Sequence, residues 1–290
     1  MLSTVTIVGV GLIGGSFGLA LKRRGLVEHI VGAGRSRASL ERALELGAID
    51  EIADGVHDAV KRSCFVFVAA PTRAICRIVE ELASSVPEGT SVTDAGSTKE
   101  LIVEAAERCW RDPVTFVGGH PIAGSEKGGV QHATSGLFDG RVVAITPTDR
   151  TSRESVQKVT DVWRALGAAT LEISPESHDQ ILARTSHVPH VVASLLVALV
   201  HGIDSEAARK LAGSGLRDST RLAESSAEMW RDICLTNNSN IKGALEKFRE
   251  LLDQATERLD KRDEEKLFGL FHDMAEYRKK LFGDARNRNG

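Results

Sequence analysis

One short stretch near the N-terminus limits the fold more than any other. TVTIVG (4–9) is a β-branched run that ends in glycine, and GVGLIG then sets Gly9, Gly11 and Gly14 at the spacing G-x-G-x-x-G. The residues that follow, LIGGSFGLALKRRG (12–25), read as a helix closed by Gly25. Strand, glycine turn and helix in that order are the setting this spacing needs. The first glycine permits the tight turn, the second lets a pyrophosphate reach the backbone, and the third lets helix and strand pack closely. The helix N-terminus adds a partial positive charge for the anion. A glycine-rich turn with no ligand has the same spacing, but its position directly after a clean strand favours a dinucleotide site. Leu12 and Ile13, between and beside the glycines, and Pro71, which ends a later strand, are counted with that site.

The alternation continues. HIVGAG (29–34), CFVFVAAP (64–71), SVTDAG (91–96), TFVGGHP (115–121), RVVAITP (141–147) and ATLEIS (169–174) read as strands. Between them lie helical patterns at 36–47, capped by Ser36 and stopped by Gly47, and at 73–86, 99–109 and 152–167. Strands alternating with helices predict an α/β Rossmann-type domain with a mostly parallel sheet covered on both faces. After Pro175 no strand pattern returns. A long helix, almost wholly apolar over 188–200, needs cover on all sides. Ile241, Leu245, Phe248, Leu252, Ala255 and Leu259 then recur in steps of four and three, a packing stripe for core or subunit interface. The expected division is therefore 1–174 as the dinucleotide-binding domain and 175–290 as an all-α domain. The surplus of apolar surface in the second part predicts a homodimer joined through it.

Charge and cysteine usage exclude several classes. A formal net charge of -3 provides no basic field for nucleic acid. Cys64, Cys76, Cys109 and Cys234 have neither C-x-x-C spacing nor clustering, so no disulfide framework or zinc site is expected and a reducing cytoplasm fits. The apolar run Val191–Val200 is far shorter than the roughly 20 residues that span a bilayer, so no membrane is expected. The first residues lack the pattern of a cleaved leader.

At the end of the second strand, where an acid would hold the ribose hydroxyls of NAD, the chain reads GAGRSR. Gly34 replaces the acid, and Arg35 and Ser36 follow. An arginine here can meet a 2′-phosphate, or it can simply face water at a helix start. The cofactor expected is NAD or NADP, leaning to NADP or dual use. Later, His187 and His190 stand three apart around Pro189, close to an HD pair (178–179). Metal binding would need further acids at ligand spacing, so the expectation is a substrate-pocket or domain-interface role with no metal. GLRDSTR (215–221) offers Arg217, Asp218 and Arg221. By themselves these read as a surface charge pattern.

The segments TDAGSTK (93–99), GGHPIAGSEKGG (118–129), SHVPH (186–190) and GSGLRDSTRLAESSAEMWRDI (213–233) occur in this order behind GVGLIGGS. With them the chain resembles, over nearly its whole length, the prephenate and arogenate dehydrogenases of tyrosine biosynthesis. The resemblance implies a Rossmann domain followed by a helical dimerisation domain. It also implies a cyclohexadienyl substrate that loses a hydride from ring carbon 4, a hydroxyl proton, and its ring carboxylate as carbon dioxide. In that chemistry His120, in a glycine-framed stretch that packs no core, is the acceptor of the hydroxyl proton, and Ser97 supports it. Arg221 clamps a substrate carboxylate, Asp218 belongs to an ionic network, Glu126 stands at the pocket mouth and Trp230 lies near the pocket. The blander readings are a buried structural histidine for His120, a helix N-cap for Ser97 and a solvated acid for Glu126. Both substrates stay open, since no residue selects the ketone of prephenate over the amine of arogenate. No chorismate mutase segment or ACT domain is expected, so any tyrosine inhibition would be competitive at the active site. The rival readings are another two-domain Rossmann dehydrogenase, of the β-hydroxyacid type, and a non-catalytic dinucleotide sensor.

Overall fold

The first strand, β1 (Leu2–Val8), is buried on both faces over Val5–Val8, as a continuous β-branched run should be in the middle of a parallel sheet. Thr6, the polar residue within that run, donates its hydroxyl to the Ala59 carbonyl at 3.0 Å. The structure is a computed structural model that describes residues 1–124, 128–203 and 205–283. It falls into two compact units, Met1–Ile241 and Lys242–Gly290.

In the first unit, α1 (Leu12–Arg23), β2 (Val27–Ala33), α2 (Arg37–Glu45), β3 (Glu51–Ile52) and α3 (Val56–Val60) lead to β4 (Phe65–Val68). Then come α4 (Thr72–Leu82), β5 (Ser91–Asp94), α5 (Glu100–Cys109), β6 (Phe116–Pro121), β7 (Val142–Thr146), α6 (Arg153–Ala165) and β8 (Ala169–Glu172). The strands make one eight-stranded sheet in the order β3-β2-β1-β4-β5-β6-β7-β8. β1 to β6 run parallel, β7 runs antiparallel to β6, and β8 follows β7. The sheet is thus mostly parallel, as the alternation implied. β3 and α3 fill a segment that showed no usable period, because a two-residue strand is too short to carry one. On one face Phe17, Phe65, Phe67, Phe138 and Trp163 form an aromatic core, with Phe17 and Phe67 centroids 4.2 Å apart. On the other face Val66 and Val68 pack with Ile75 and Val79 of α4 and Ile102 of α5.

The expected boundary at 174 lies inside this first unit, where Ser174 caps α7 (Pro175–Leu182) by accepting from the Ser177 amide. α7 passes through a π-helical turn (Ala183–His187) into α8 (Val188–His201). Pro175–His201 is one continuous helix of 27 residues, long and apolar enough by length and composition to cross a membrane. Four of its polar side chains, His178, Asp179, His187 and His190, are nevertheless buried within the fold. α9 (Glu206–Leu211), α10 (Ser214–Thr220), a 3₁₀ turn (Arg221–Glu224) and α11 (Ala227–Thr236) complete the unit up to Ile241, the buried start of the apolar stripe on α12 (Asn238–Asp260).

The second unit holds the rest of α12 and α13 (Glu264–Gly283). Its apolar residues remain largely uncovered in the single chain: Leu252 is 52% and Phe271 70% exposed.

Candidate active site

The carboxyl ends of β1, β4, β5 and β6 lie along one edge of the sheet, the edge at which open α/β sheets bind ligands. Each of these ends carries a residue singled out from the sequence: the glycine turn after β1, Pro71 after β4, Ser97 after β5 and His120 in β6.

At the turn, Gly9 adopts φ +92°, and a Cβ there would stand 2.5 Å from the Ala69 carbonyl oxygen. A Cβ on Gly14 would stand 2.1 Å from the Gly9 oxygen, so α1 can approach β1 only with glycine at this position. Gly11, the N-cap of α1, is different. Nothing lies within 4 Å of its would-be Cβ, leaving open space against the helix N-terminus. That is the cradle a pyrophosphate needs, and the turn fits a dinucleotide. Leu12 and Ile13 open α1 and are half-buried, and exposed Pro71 stands at the N-cap of α4. At the end of β2, Gly34, Arg35 and Ser36 are exposed. Ser36 caps α2, its oxygen accepting from the Ser39 amide at 3.2 Å.

The other side of the site rests on a buried ion pair. Asp94, at the end of β5, and Lys99, just ahead of α5, are fully buried and in direct contact. Asp94 accepts from the Gly119 amide at 2.9 Å, and the Lys99 ammonium donates to the Gly119 carbonyl at 2.8 Å. Both backbone groups of the residue before His120 are thereby fixed. Bare glycines make this possible, since a Cβ on Gly119 would stand 2.7 Å from Thr93 Oγ1 and 2.8 Å from the Asp94 carbonyl. GGHP lies in the expected strand, but the expectation that it packs no core fails, because Gly118, Gly119 and Pro121 are buried. Its glycines serve close strand contact rather than loop freedom.

From His120 a chain of side chains runs inward. Its Nδ1 lies 2.9 Å from His178 Nε2, and His178 Nδ1 lies 2.7 Å from Asp179 Oδ1. Asp179 accepts from the amides of Lys99 at 2.7 Å and Glu100 at 3.1 Å, capping α5. Ser97 is half-buried and is not that cap. Asn237 donates to the Asp179 carbonyl at 2.8 Å and to His187 Nδ1 at 3.1 Å. Trp230 presents its edge to His187 and stacks on His190, with centroids 3.5 Å apart in the latter pair. Burial drives the pKa of His120 well below its ordinary value, and positive charge on His178, Lys99 and His187 would push it the same way. Burial brings His187 down to about 4 despite the opposing Asp179, and it also lowers His190. Burial thus favours the neutral form of His120, His187 and His190.

The π-turn aims His187. At about 100° per residue, positions eight apart on a regular helix differ by roughly 80°, which would swing His187 away from Asp179. In the turn the Val188 amide donates to the Ala183 carbonyl, five residues back, and one residue is absorbed. His187 then faces as position 186 would, roughly 20° from Asp179. Pro189 explains the widening, because it has no amide to donate and its ring crowds the carbonyl four residues earlier.

Asp218, on α10, and Arg221, in the turn after it, are exposed; their elements pack on α8. They come to the helix that bears His187 and His190 without entering the buried cluster. Glu126 lies outside the described residues. Among the described residues, no group of three or more His, Cys, Asp or Glu could hold a metal ion. His178, Asp179, Lys99, Asp94 and Asn237 were not among the expected site residues. The HD pair at 178–179 and the charged pair within TDAGSTK were the available signals, but their partners are remote in sequence.

Residues 17–172 match the prephenate dehydrogenase nucleotide-binding domain and residues 174–273 the prephenate dehydrogenase dimerization domain. The chain is 36% identical over 281 residues to prephenate dehydrogenase of Bacillus subtilis, covering 96% of this chain and 76% of that one. It superposes with a TM-score of 0.90 and 35% identity on the crystal structure of prephenate dehydrogenase from A. aeolicus in complex with hydroxyphenyl propionate and NAD+, covering 97% of this chain and 99% of the other. For Synechocystis arogenate dehydrogenase the TM-score is 0.84 and the identity 29%, over 96% of this chain and 99% of that one. On sequence and fold alike, this chain belongs to the prephenate dehydrogenase family.

Proposed function

We propose that the chain oxidatively decarboxylates prephenate, arogenate or both, with hydride transfer to NAD(P)+, in the biosynthesis of tyrosine. The observation that carries this reading is His120: a histidine held neutral by burial on the sheet edge that also bears the nucleotide turn. A neutral imidazole can accept the hydroxyl proton as hydride leaves the same carbon. The nicotinamide, when bound, supplies the hydride acceptor. Ser97 supports the hydroxyl. The Arg221 fork suits a substrate carboxylate, with Asp218 in its ionic network, Glu126 at the pocket mouth and His187, His190 and Trp230 lining the substrate side. In this reading residues 1–174 hold the dinucleotide and 175–290 hold the substrate and the second subunit of a cytoplasmic homodimer. Leu199 and Phe271, 74% and 70% exposed in the single chain, are among the apolar residues that such a dimer would cover. The test follows reduced cofactor with prephenate and with arogenate. Turnover of either, with release of carbon dioxide, is expected. A protein that binds dinucleotide but reduces it with neither substrate would instead be a sensor.

For the cofactor we infer NADP or dual use. Gly34 removes the acid that would repel a 2′-phosphate. Arg35 is exposed beside it, and Ser36 uses its oxygen lone pair in the α2 cap, leaving its hydroxyl hydrogen to donate. Titration calorimetry of both dinucleotides against wild type and Arg35→Ala tests this. The substitution is expected to weaken NADP about tenfold, roughly 1.4 kcal/mol, while sparing NAD. An NAD preference that the substitution leaves untouched makes Arg35 a surface residue.

A further inference from the structure

The hydrogen-bond chain behind His120 has a fixed direction, set at its inner end. The amides of Lys99 and Glu100 can only donate, so the Asp179 carboxylate must accept from both. The same oxygen that accepts from Lys99 lies 2.7 Å from His178 Nδ1, which must therefore also donate. A neutral imidazole that donates through Nδ1 keeps its lone pair on Nε2. With a neutral His178 its Nε2 accepts, and the group it meets at 2.9 Å, His120 Nδ1, carries the hydrogen. By the same rule the lone pair of His120 sits on Nε2, the nitrogen turned away from the chain.

We propose that His178 and Asp179 are positioning residues that set the ring tautomer of His120, presenting its Nε2 to the substrate as the proton acceptor. The proposal rests on the reading of His120 as that acceptor. In the step it serves, the substrate O–H bond breaks and an Nε2–H bond forms. The electron pair left on oxygen becomes the second bond of a carbonyl as hydride departs from the same carbon to the nicotinamide. The His120 imidazolium keeps its Nδ1 hydrogen on His178, and the Asp179 carboxylate at the far end of the chain offsets the new charge. The ionisable groups around His120 come from four places: Asp94 on β5, Lys99 ahead of α5, His178 and Asp179 on α7, and His187 in the π-turn. The relay occupies a site whose charge is already balanced by the Asp94–Lys99 pair.

The proton positions are read directly by ¹⁵N NMR of histidine-labelled protein without substrate. His120 is expected to be protonated on Nδ1 with its lone pair on Nε2. In His178→Phe the acceptor is gone, and the Nε2–H form should appear. In that variant kcat should fall about 10²-fold, the lower end of what a general base contributes. The substrate KM and the dinucleotide Kd should stay within about twofold. The acid limb of the kcat/KM profile should move to lower pH, since the His120 imidazolium loses the acceptor of its Nδ1 hydrogen. His178→Gln, whose carbonyl can accept from Nδ1, should recover most of kcat. A wild-type His120 protonated on Nε2 overturns the proposal, as does a His178→Phe variant that keeps both tautomer and kcat. Should the Phe variant fail to fold, the wild-type spectrum decides alone, Nδ1–H supporting and Nε2–H overturning. The spectrum needs no turnover, so a protein inactive on both substrates would fail the activity reading without obscuring the tautomer.

Discussion

The two ends of the site are built from opposite materials. The nucleotide turn is backbone: three glycines within six residues, the open N-terminus of α1 and no side-chain cap. The His120 end is side chain: partners 58 residues away in His178, and beyond it Asp179, which caps a helix 79 and 80 residues upstream in sequence. Backbone recognition suits a ligand whose charge is fixed and whose shape is always the same. A proton acceptor needs tuning, and tuning requires neighbours that desolvate it and direct its hydrogen bonds. A local motif can build the first. Only a folded core can build the second.

The sharpest way to break this contrast is at its chemical end. His120→Asn should lower kcat by roughly 10² to 10⁴ while dinucleotide affinity stays nearly constant. Steady-state kinetics beside calorimetry would show it, and an unchanged kcat removes His120 from the mechanism.

Next in size is the ion pair beneath it. Lys99→Met leaves Asp94 buried without its cation and should cost about 3–5 kcal/mol. The thermal midpoint should fall by roughly 10 °C. A variant as stable as wild type would mean that water or another cation reaches Asp94.

The pH dependence of stability follows in size. His187 folds with a pKa of about 4, below its ordinary 6.5, so the unfolded chain takes up the proton first as pH falls. Its contribution is fully present above pH 6.5 and is lost as pH falls towards about 4, on the order of 3 kcal/mol in all. Urea midpoints measured from pH 7 to 4 should fall over that window, and His187→Gln should flatten the fall. A curve with the same slope in both proteins assigns the effect elsewhere.

The smallest effect sharpens the backbone end. Gly11→Ala meets nothing within 4 Å, so the fold should be unaffected. The methyl fills the cradle, however, and dinucleotide affinity should drop about tenfold, roughly 1.4 kcal/mol. Equal affinity would mean that the pyrophosphate does not approach there.

Legibility in the sequence followed the same divide. The glycine turn, the alternation up to Glu172 and the Ser36 cap are local signals, and the chain displays them openly. His120, His187, His190 and Trp230 stood out through motif resemblance, and the fold gathers them around one region of α7 and α8. Asp179 did not stand out, because an acid early in an amphipathic helix is ordinarily solvated. What makes it different is α5, whose two first amides point at it. Lys99 was equally hidden, since a lysine ahead of a helix rarely loses all its exposure and its burial depends on Asp94 and Gly119. Ser97, the obvious candidate cap, was displaced by the better acceptor from another helix. The π-turn left only Pro189 as a trace, and a proline near a helix start usually means nothing more than a start.

Asp179 also bears on how such a chain could be cut and rejoined. By sequence it belongs to the part after residue 174; by hydrogen bonding it completes a helix of the part before. A recombinant nucleotide module ending at 174 would keep every strand yet leave α5 with frayed first amides beside the TDAGSTK turn, which carries Ser97. Anyone grafting this nucleotide half onto a foreign helical partner would have to carry α7 across the junction, or supply a substitute acid from the new partner. The chemical seam between the two halves is therefore not the one at which the strands stop.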